Sequence, residues 1–455
     1  MLCRSILPSL LLAYGSNRMA VPLVRRASAQ AGWPGQLCFA VELTGSDLVY
    51  FTLSGSSQCP AGSDRRPQCF LPAPGRCYSV CIPAATQKSS RVRAARLHRH
   101  LEQKLSQGPL GARCKVLGLL SCSPDRAPEK GFLIQDPQPC PETERSLEEL
   151  FLDQPELLPA PELCVYEAGE HGELWQSLWA LRGTGSKEML RRARVLAVAE
   201  PQLHPAVSHL RSVAVFASLE AACGVLEECT SLIPEAKAVL DLVDKCPKHP
   251  KKGEFPVIVI EGLDATGKTT VTQSVKDSLN ACLLRSPPAC VSEWRKTFDD
   301  EPTLIRRAFY ALGNYIVASE IARESTKTPV IVDRYWHSTA AYAIATEISG
   351  KLQNLPQVHH EVYQWPEDLL RPDLVLLLTV SPEERIQRLQ GRGLERTREE
   401  VALEANSLFR QKYVLIMKII LCLSVSVLSS CCQGENILPV TGEAEICLLI
   451  PEVAG

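Results

Sequence analysis

The chain has 455 residues, with 49 Lys and Arg against 51 Asp and Glu, for a formal net charge of −2. That balance argues against non-specific nucleic-acid binding, which needs a strongly basic face. A hydrophobic share of 45% and a charged share of 22% exclude a wholly disordered, collagen-like or coiled-coil chain. The 19 cysteines include no C-x-x-C pair, so a zinc site lacks its ligand spacing. Reduced thiols in an intracellular compartment fit so long a chain better than a secreted disulfide framework.

Residues 1–41 hold no Asp or Glu, while Arg4, Arg18, Arg25 and Arg26 lie among Ser, Leu and Ala. An acid-free, Arg-containing segment has the composition of a mitochondrial transit peptide, expected over 1–35. A secretory signal is the rival, because Ile6 to Tyr14 is a short apolar core, but Pro8 and Ser9 interrupt it. An untargeted tail is the third reading. No uninterrupted apolar run reaches the ~18 residues of a membrane span, so no stable membrane insertion is expected. A homodimer is compatible with the sequence.

Residues 36–250 are expected to form a separate, mixed α/β N-terminal domain of unknown role. Short apolar runs alternate there with Pro, Gly and Ser clusters. Arg91 to Leu105 predicts an amphipathic helix, with Ala94, Leu97, Leu101 and Leu105 on one face. Its arginines and histidines suit a solvated helix surface better than a phosphate or RNA contact. Lys115 to Leu120 reads as a strand, and Glu220 to Val243 as one or two helices. No motif of chemistry appears in this half.

After the polar linker Cys246 to Glu254 the texture changes. Apolar strands are predicted at Val257 to Glu261, Cys282 to Arg285, Val330 to Asp333 and Leu374 to Val380. Helices are predicted at Thr269 to Leu279, Glu301 to Ser325 and Thr339 to Ser349. Another starts at Ser381-Pro382-Glu383-Glu384 with a capping box. Such alternation implies a parallel sheet with helices on both faces, the P-loop NTPase type of α/β fold.

Gly262-Leu263-Asp264-Ala265-Thr266-Gly267-Lys268-Thr269 fits G-x-x-x-x-G-K-[ST], between a strand and a helix. There the backbone N–H groups, those up to Thr270 included, and the helix dipole would cradle the phosphates of ATP. Lys268 would bridge phosphate oxygens and the Thr269 hydroxyl would hold Mg²⁺. Asp333-Arg334-Tyr335 ends the Val330 strand. Asp333 at a strand's carboxyl end faces the crevice and can hold the metal's water shell, while Arg334 can clamp a phosphate. Arg385, Arg388, Arg392, Arg396 and Arg398 surround Gly391 and Gly393. That cluster reads as a mobile lid that brings positive charge onto transferring phosphates, with Arg388, Arg392 and Arg396 in catalytic roles beside Lys268 and Arg334. A solvated helix face is the alternative, since Glu383, Glu384, Glu395, Glu399 and Glu400 interleave. A phosphate acceptor is already anionic, so no general base is required.

The segments GLDATGKTT, DRYWHST and SPEERIQRLQGRGLER resemble the thymidylate-kinase-like nucleoside monophosphate kinases, most closely the members that phosphorylate UMP and CMP. The likeness extends upstream through RVRAARLH and VLEECTSLIPEAKAVLDLVD. It implies a kinase domain over 254–412 and ATP-dependent phosphorylation of UMP, CMP, dUMP and dCMP in mitochondrial nucleotide salvage. It also implies Asp264 near the acceptor sugar, and Asp333 with Arg334 at the acceptor phosphate and the metal. Ala265 stands where some thymidylate kinases carry an arginine, so lid arginines would supply that charge. The thymine-contacting pattern is not recognisable around Phe309 to Tyr315. Thymidylate kinase activity, or nucleotide binding without turnover, are the competing functions.

After Lys412 the resemblance stops, and 413–455 reads as an atypical C-terminal tail. Leu421, Leu423, Val425 and Val427 alternate with Cys422, Ser424 and Ser426. This pattern predicts a half-buried strand that takes the sheet edge beside Leu374 to Val380; an unstructured tail is the rival.

Overall fold

The computed structural model describes residues 37–44, 47–54, 75–82, 88–123, 126–153, 161–183, 185–201, 203–390, 405–424, 437–440 and 444–449. The transit-peptide segment 1–35 and Arg392, Arg396 and Arg398 lie outside these. The chain forms two compact units. One comprises 31–209 with 347–356, and the other takes 210–346 with 357–455 among its residues. The division therefore falls at His209, ahead of the linker at Cys246. The reason is packing: helices α3 (Leu219–Cys229) and α4 (Pro234–Val243) bury Ala222, Val225, Leu226, Val239 and Val243 within the second unit.

The first unit is built on a closed antiparallel barrel, where a mixed α/β region was expected. Its strands are β1 (Cys38–Thr44), β2 (Asp47–Ser54), β3 (Arg76–Cys81), β4 (Lys115–Ser123), β5 (Arg126–Asp136), β6 (Glu162–Ala168), β7 (Leu174–Gly183) and β8 (Ser186–Val198). They close in the order β1-β2-β8-β7-β6-β3-β5-β4. Closure removes the unpaired edges that an open sheet would present. Phe39, Val41, Phe51, Leu117, Leu133 and Val195 share one core cluster. In it the rings of Phe39 and Phe51 stack at 4.7 Å. The buried Tyr166 hydroxyl accepts from Gln176 Nε2 at 2.8 Å and pairs with Ser79 Oγ at 3.0 Å, which offsets its loss of water.

A second core cluster lies between strands and helices. Helix α1 (Lys88–Gln107) presents Leu97, Leu101 and Leu105, as the sequence spacing indicates, and α2 (Pro141–Leu152) adds Leu147 and Phe151. These pack with Tyr78, Val80, Phe132 and Ile134 of β3 and β5. The strands are thus apolar on both faces, which hides the alternation that betrays a barrel strand.

In the second unit, β9 (Val257–Gly262), β10 (Cys282–Arg285), β11 (Val330–Asp333) and β12 (Leu374–Val380) form parallel pairs in the order β10-β11-β9-β12. Helices α5 (Lys268–Leu279), α6 (Thr303–Glu324), α7 (Trp336–Glu347) and α8 (Pro382–Gln390) follow the strands. The β9 strand is central, and connections leave it toward both sides, so a crevice opens at its carboxyl end.

The C-terminal segment pairs the edge of β12 as expected, but not through the stretch from Leu421. Helix α9 (Ser407–Ser424) runs through Lys412 and buries Tyr413, Ile416, Met417, Ile420 and Leu421. Those positions follow helical spacing, and it overrides the period-two pattern read from Leu421 onward. Val425 and Val427 lie outside the described residues. The edge of β12 is instead paired antiparallel by β14 (Ala444–Leu449), which in turn pairs with β13 (Ile437–Val440).

Leu101 is fully buried between α1 and the barrel strands. Leu101→Ala is expected to lower the unfolding free energy of the barrel unit by about 2–5 kcal/mol in denaturant titration. A loss below ~0.5 kcal/mol would contradict this packing.

Candidate functional site

Strand β9 is apolar until its last two residues, Glu261 and Gly262. Gly262 has φ +146°, and a Cβ there would lie 2.5 Å from the Leu378 carbonyl oxygen, so only glycine fits the turn. Gly267 has φ +94° and caps α5, whose first residue is Lys268. Between them the loop is tied by the Thr266 hydroxyl, which donates to Leu263 O at 2.9 Å. Ala265 also takes a left-handed φ of 66°. The loop therefore wraps around a point at the amino end of α5, where N–H groups and the helix dipole favour an anion.

Lys268 is buried there, its ammonium donating to Leu263 O at 2.7 Å and lying 3.7 Å from Asp264 Oδ1. Burial, reinforced by the neighbouring Arg334 cation, pulls its pKa down to about 7. The pKa of Asp264 is lowered too, but toward its charged form. Burial alone would raise it, but Arg334 and Lys268 hold it down at about 2, so it stays a carboxylate. Thr269 is exposed and, with Asp264 and Lys268, lines a cavity.

Strand β11 lies beside β9 in parallel register, Asp333 opposite Ile260, so the Asp333-Arg334-Tyr335 turn opens next to the phosphate loop. Arg334 adopts φ 66°, a strained conformation for a side-chain-bearing residue. It is held by its own N–H to Ile260 O at 3.1 Å. Its guanidinium reaches Asp264 Oδ1 at 2.5 Å and Ser338 Oγ at 3.2 Å. Asp333 Oδ2 sits 3.8 Å from Arg285 Nε, while its Oδ1 is buried with no hydrogen-bond partner among the described residues. Asp333 and Thr269 both line the cavity, and a carboxylate oxygen with a hydroxyl is the kind of oxygen donor set that a hydrated Mg²⁺ takes.

Glu261 was not singled out from the sequence, yet it fastens the site. It is fully buried. Its Oε1 accepts from Tyr335 N at 2.9 Å and Ser338 N at 3.2 Å, and the Ser338 hydroxyl donates to its Oε2. Burial raises its pKa, and those bonds, with Arg334 near, oppose the rise. A charged residue ending a buried strand was the available signal, the same signal that marked Asp333. His337, 3.7 Å from Glu261, is kept neutral by burial, with a pKa near 3. From α9, Tyr413 places its hydroxyl 3.2 Å from Ser338 Oγ. The segment first read as an atypical tail thus contributes a side chain to this network.

Of the arginine cluster, Arg385 donates to Asp264 O at 3.0 Å and Arg388 reaches Ala265 O at 3.5 Å. Both contacts are with the phosphate loop. Arg388 is also bound to Glu384 at 2.6 Å, and Ser381 Oγ caps the helix by accepting from Glu384 N. A cavity of about 270 Å³ opens beyond Lys268 and Arg334. Sequence reasoning missed Arg295, Arg306, Arg307, Asp299 and Tyr310 in its wall; they sit on helical segments with no motif to mark them. In the structure Tyr310 donates to Asp299 Oδ1 at 2.7 Å and accepts from Arg295 Nε at 3.0 Å. The wall holds more cations than acids, so it attracts an anionic ligand.

A sequence profile of thymidylate kinases matches residues 260–423, carrying the likeness past Lys412 through nearly all of α9. Human mitochondrial UMP-CMP kinase 2 is 58% identical over 380 residues, or 82% of this chain and 84% of that one. Thymidylate kinase from Candida albicans is 21% identical with a TM-score of 0.28, covering 36% of this chain and 76% of that one. Deoxyadenosine kinase from M. mycoides, solved with bound dATP, is 19% identical with a TM-score of 0.25, covering 36% of this chain and 84% of that one.

The depressed pKa of Lys268 has a measurable consequence. At roughly pH 8 the free site holds Lys268 mostly neutral, whereas a bound polyphosphate favours the ammonium and raises its pKa. ATP binding is therefore expected to take up protons at that pH. Calorimetry in buffers of different ionisation enthalpy reads this as a buffer-dependent heat; heat independent of buffer would contradict the depressed pKa.

Proposed function

The chain belongs to the thymidylate-kinase-like nucleoside monophosphate kinases, and from that premise we propose that it transfers the γ-phosphoryl group of ATP to UMP, CMP, dUMP and dCMP in mitochondria. The observation that carries this reading is the continuity of the phosphate loop with a cationic cavity on the acceptor side, joined at Arg334. The mitochondrial assignment rests on the name of the human relative and on the acid-free segment 1–35.

In this reading the loop amides and Lys268 hold the donor's β- and γ-phosphates. Thr269 and Asp333 hold Mg²⁺, which when bound neutralises charge on the donor phosphates. Arg334, fixed by Asp264 and Ser338, orients the acceptor phosphate. An acceptor oxygen forms a bond to the γ-phosphorus as the bond to the β–γ bridging oxygen breaks, giving ADP and the nucleoside diphosphate. The attacking oxygen is already anionic at neutral pH, so no side chain has to remove a proton. Arg388, bound at the Ala265 carbonyl of the loop, adds charge there; Arg392 and Arg396 follow α8 in sequence as the remaining lid charges. Asp264 stays ionised, which keeps Arg334 in place and leaves its second oxygen for the acceptor sugar.

Lys268→Ala is expected to lower turnover at least about a hundredfold, because one preorganised charge on a transferring phosphate is worth that much. A coupled assay with ATP against UMP, CMP, dUMP, dCMP and dTMP, run beside a thermal unfolding scan, checks it. Retention of more than a tenth of the activity would remove Lys268 from this role. Turnover confined to dTMP would replace the acceptor assignment, and ATP binding with no turnover would replace the kinase reading.

A further inference from the structure

Three side chains behind the acceptor cavity form a chain of hydrogen bonds. Ser286, directly after β10, donates its hydroxyl to Asn314 Oδ1 at 2.6 Å. Asn314, on α6, donates from Nδ2 to Thr339 Oγ1 at 3.1 Å. Ser286 and Thr339 both line the cavity, whereas Asn314 is 1% exposed and stands behind them. Each hydroxyl retains one further hydrogen-bonding capacity for a group in the cavity. Ser286 has spent its proton on Asn314 and can only accept from the cavity. Thr339 accepts from Asn314 and keeps its proton to donate.

A side-chain amide can turn over by exchanging its oxygen and nitrogen at no steric cost. In the reversed orientation Nδ2 donates to Ser286 and Oδ1 accepts from Thr339. The number of bonds is unchanged, but the outward pattern inverts: Ser286 now donates and Thr339 accepts. The two hydroxyls thus relay the donor–acceptor pattern of the amide to the cavity, in either of two states.

From this we infer that Asn314 is a specificity-determining residue that lets one pocket accept both uracil and cytosine. The inference rests on the proposed pyrimidine acceptor. Cytosine presents an acceptor at N3 and a donor at its 4-amino group; uracil presents a donor at N3 and an acceptor at O4. The two edges are inverses, with the same spacing as the amide edge. Whichever hydroxyl faces N3, one orientation of Asn314 complements cytosine and the other complements uracil. A serine and a threonine without this amide would have no fixed pattern, and a fixed partner would suit one base only, leaving the other with unpaired polar groups. Thymine shares the uracil edge, so the relay discriminates nothing at position 5.

Asn314→Asp removes the donor, so both hydroxyls turn inward and offer the cavity acceptors alone. Thr339→Val removes one hydroxyl at constant shape. Equilibrium binding of UMP and of CMP to the full-length chain is measured for both variants, with ATP affinity and thermal unfolding as controls. The expected result is at least tenfold weaker binding of both monophosphates in both variants, with ATP affinity within twofold of the parent. Unchanged UMP and CMP affinity in the variants would overturn the relay alone. So would a loss restricted to one base in Asn314→Asp. A purely structural role would move the unfolding midpoint and ATP affinity together with monophosphate affinity, and that pattern also overturns it. Should Asn314→Asp not fold, Thr339→Val decides the matter by itself. A parent chain that binds neither UMP nor CMP would overturn the acceptor assignment as well.

Discussion

The carboxylate of Glu261 holds the site together. It sits at the end of β9, out of water, and accepts from Tyr335 N, Ser338 N and Ser338 Oγ. Through these bonds the strand that carries the phosphate loop fixes the start of the helix that follows Asp333 and Arg334. An unpaired carboxylate there would be costly, so the three donors and the acid enforce one another. The constraint explains how Arg334 tolerates a left-handed φ of 66°. Its neighbours on either side are pinned, and its guanidinium is bound to Asp264, whose carboxylate it helps keep ionised.

From that fixed frame the electrostatics follow. Lys268 is a buried cation close to a second cation, and its pKa falls to about 7. The site is therefore poised: it lacks full charge until a phosphate enters and supplies the missing anion. Arg385 and Arg388 lean on the loop carbonyls of Asp264 and Ala265, so the start of the arginine-rich segment is attached to the loop it is suited to cover. Asp333 keeps one buried oxygen with no partner among the described residues. Burial acts on both titrating groups: the Arg334 cation adds to it at Lys268, and the Arg334 and Lys268 cations override it at Asp264.

Much of the second unit was legible in the sequence because its signals are local. Strands β10, β11 and β12 coincide with the apolar runs that predicted them, and the phosphate loop lies where its glycines require. Glu261 carried the signal of an acid ending a buried strand, but the roles of Ser338 and Tyr413 were not legible, because they come from elements that meet far apart in sequence. The barrel was hidden by burial of its strands on both faces, as at Tyr78 and Val80 against Cys77 and Ser79. The C-terminal error came from period: Leu421 begins an alternating run, but it is also the last of the helical series from Tyr413. The short window favoured a strand, while the longer one specified the helix.

Glu261 restrains the turn after β11 through the amides of Tyr335 and Ser338. Native-state hydrogen exchange in Glu261→Ala, compared with the parent, tests this at the two amides it accepts from. Tyr335 and Ser338 N–H are expected to exchange at least about tenfold faster, while the ladder amides of β9 and β11 keep their protection. Unchanged protection at Tyr335 and Ser338 would contradict the claim that this buried carboxylate holds the site in register.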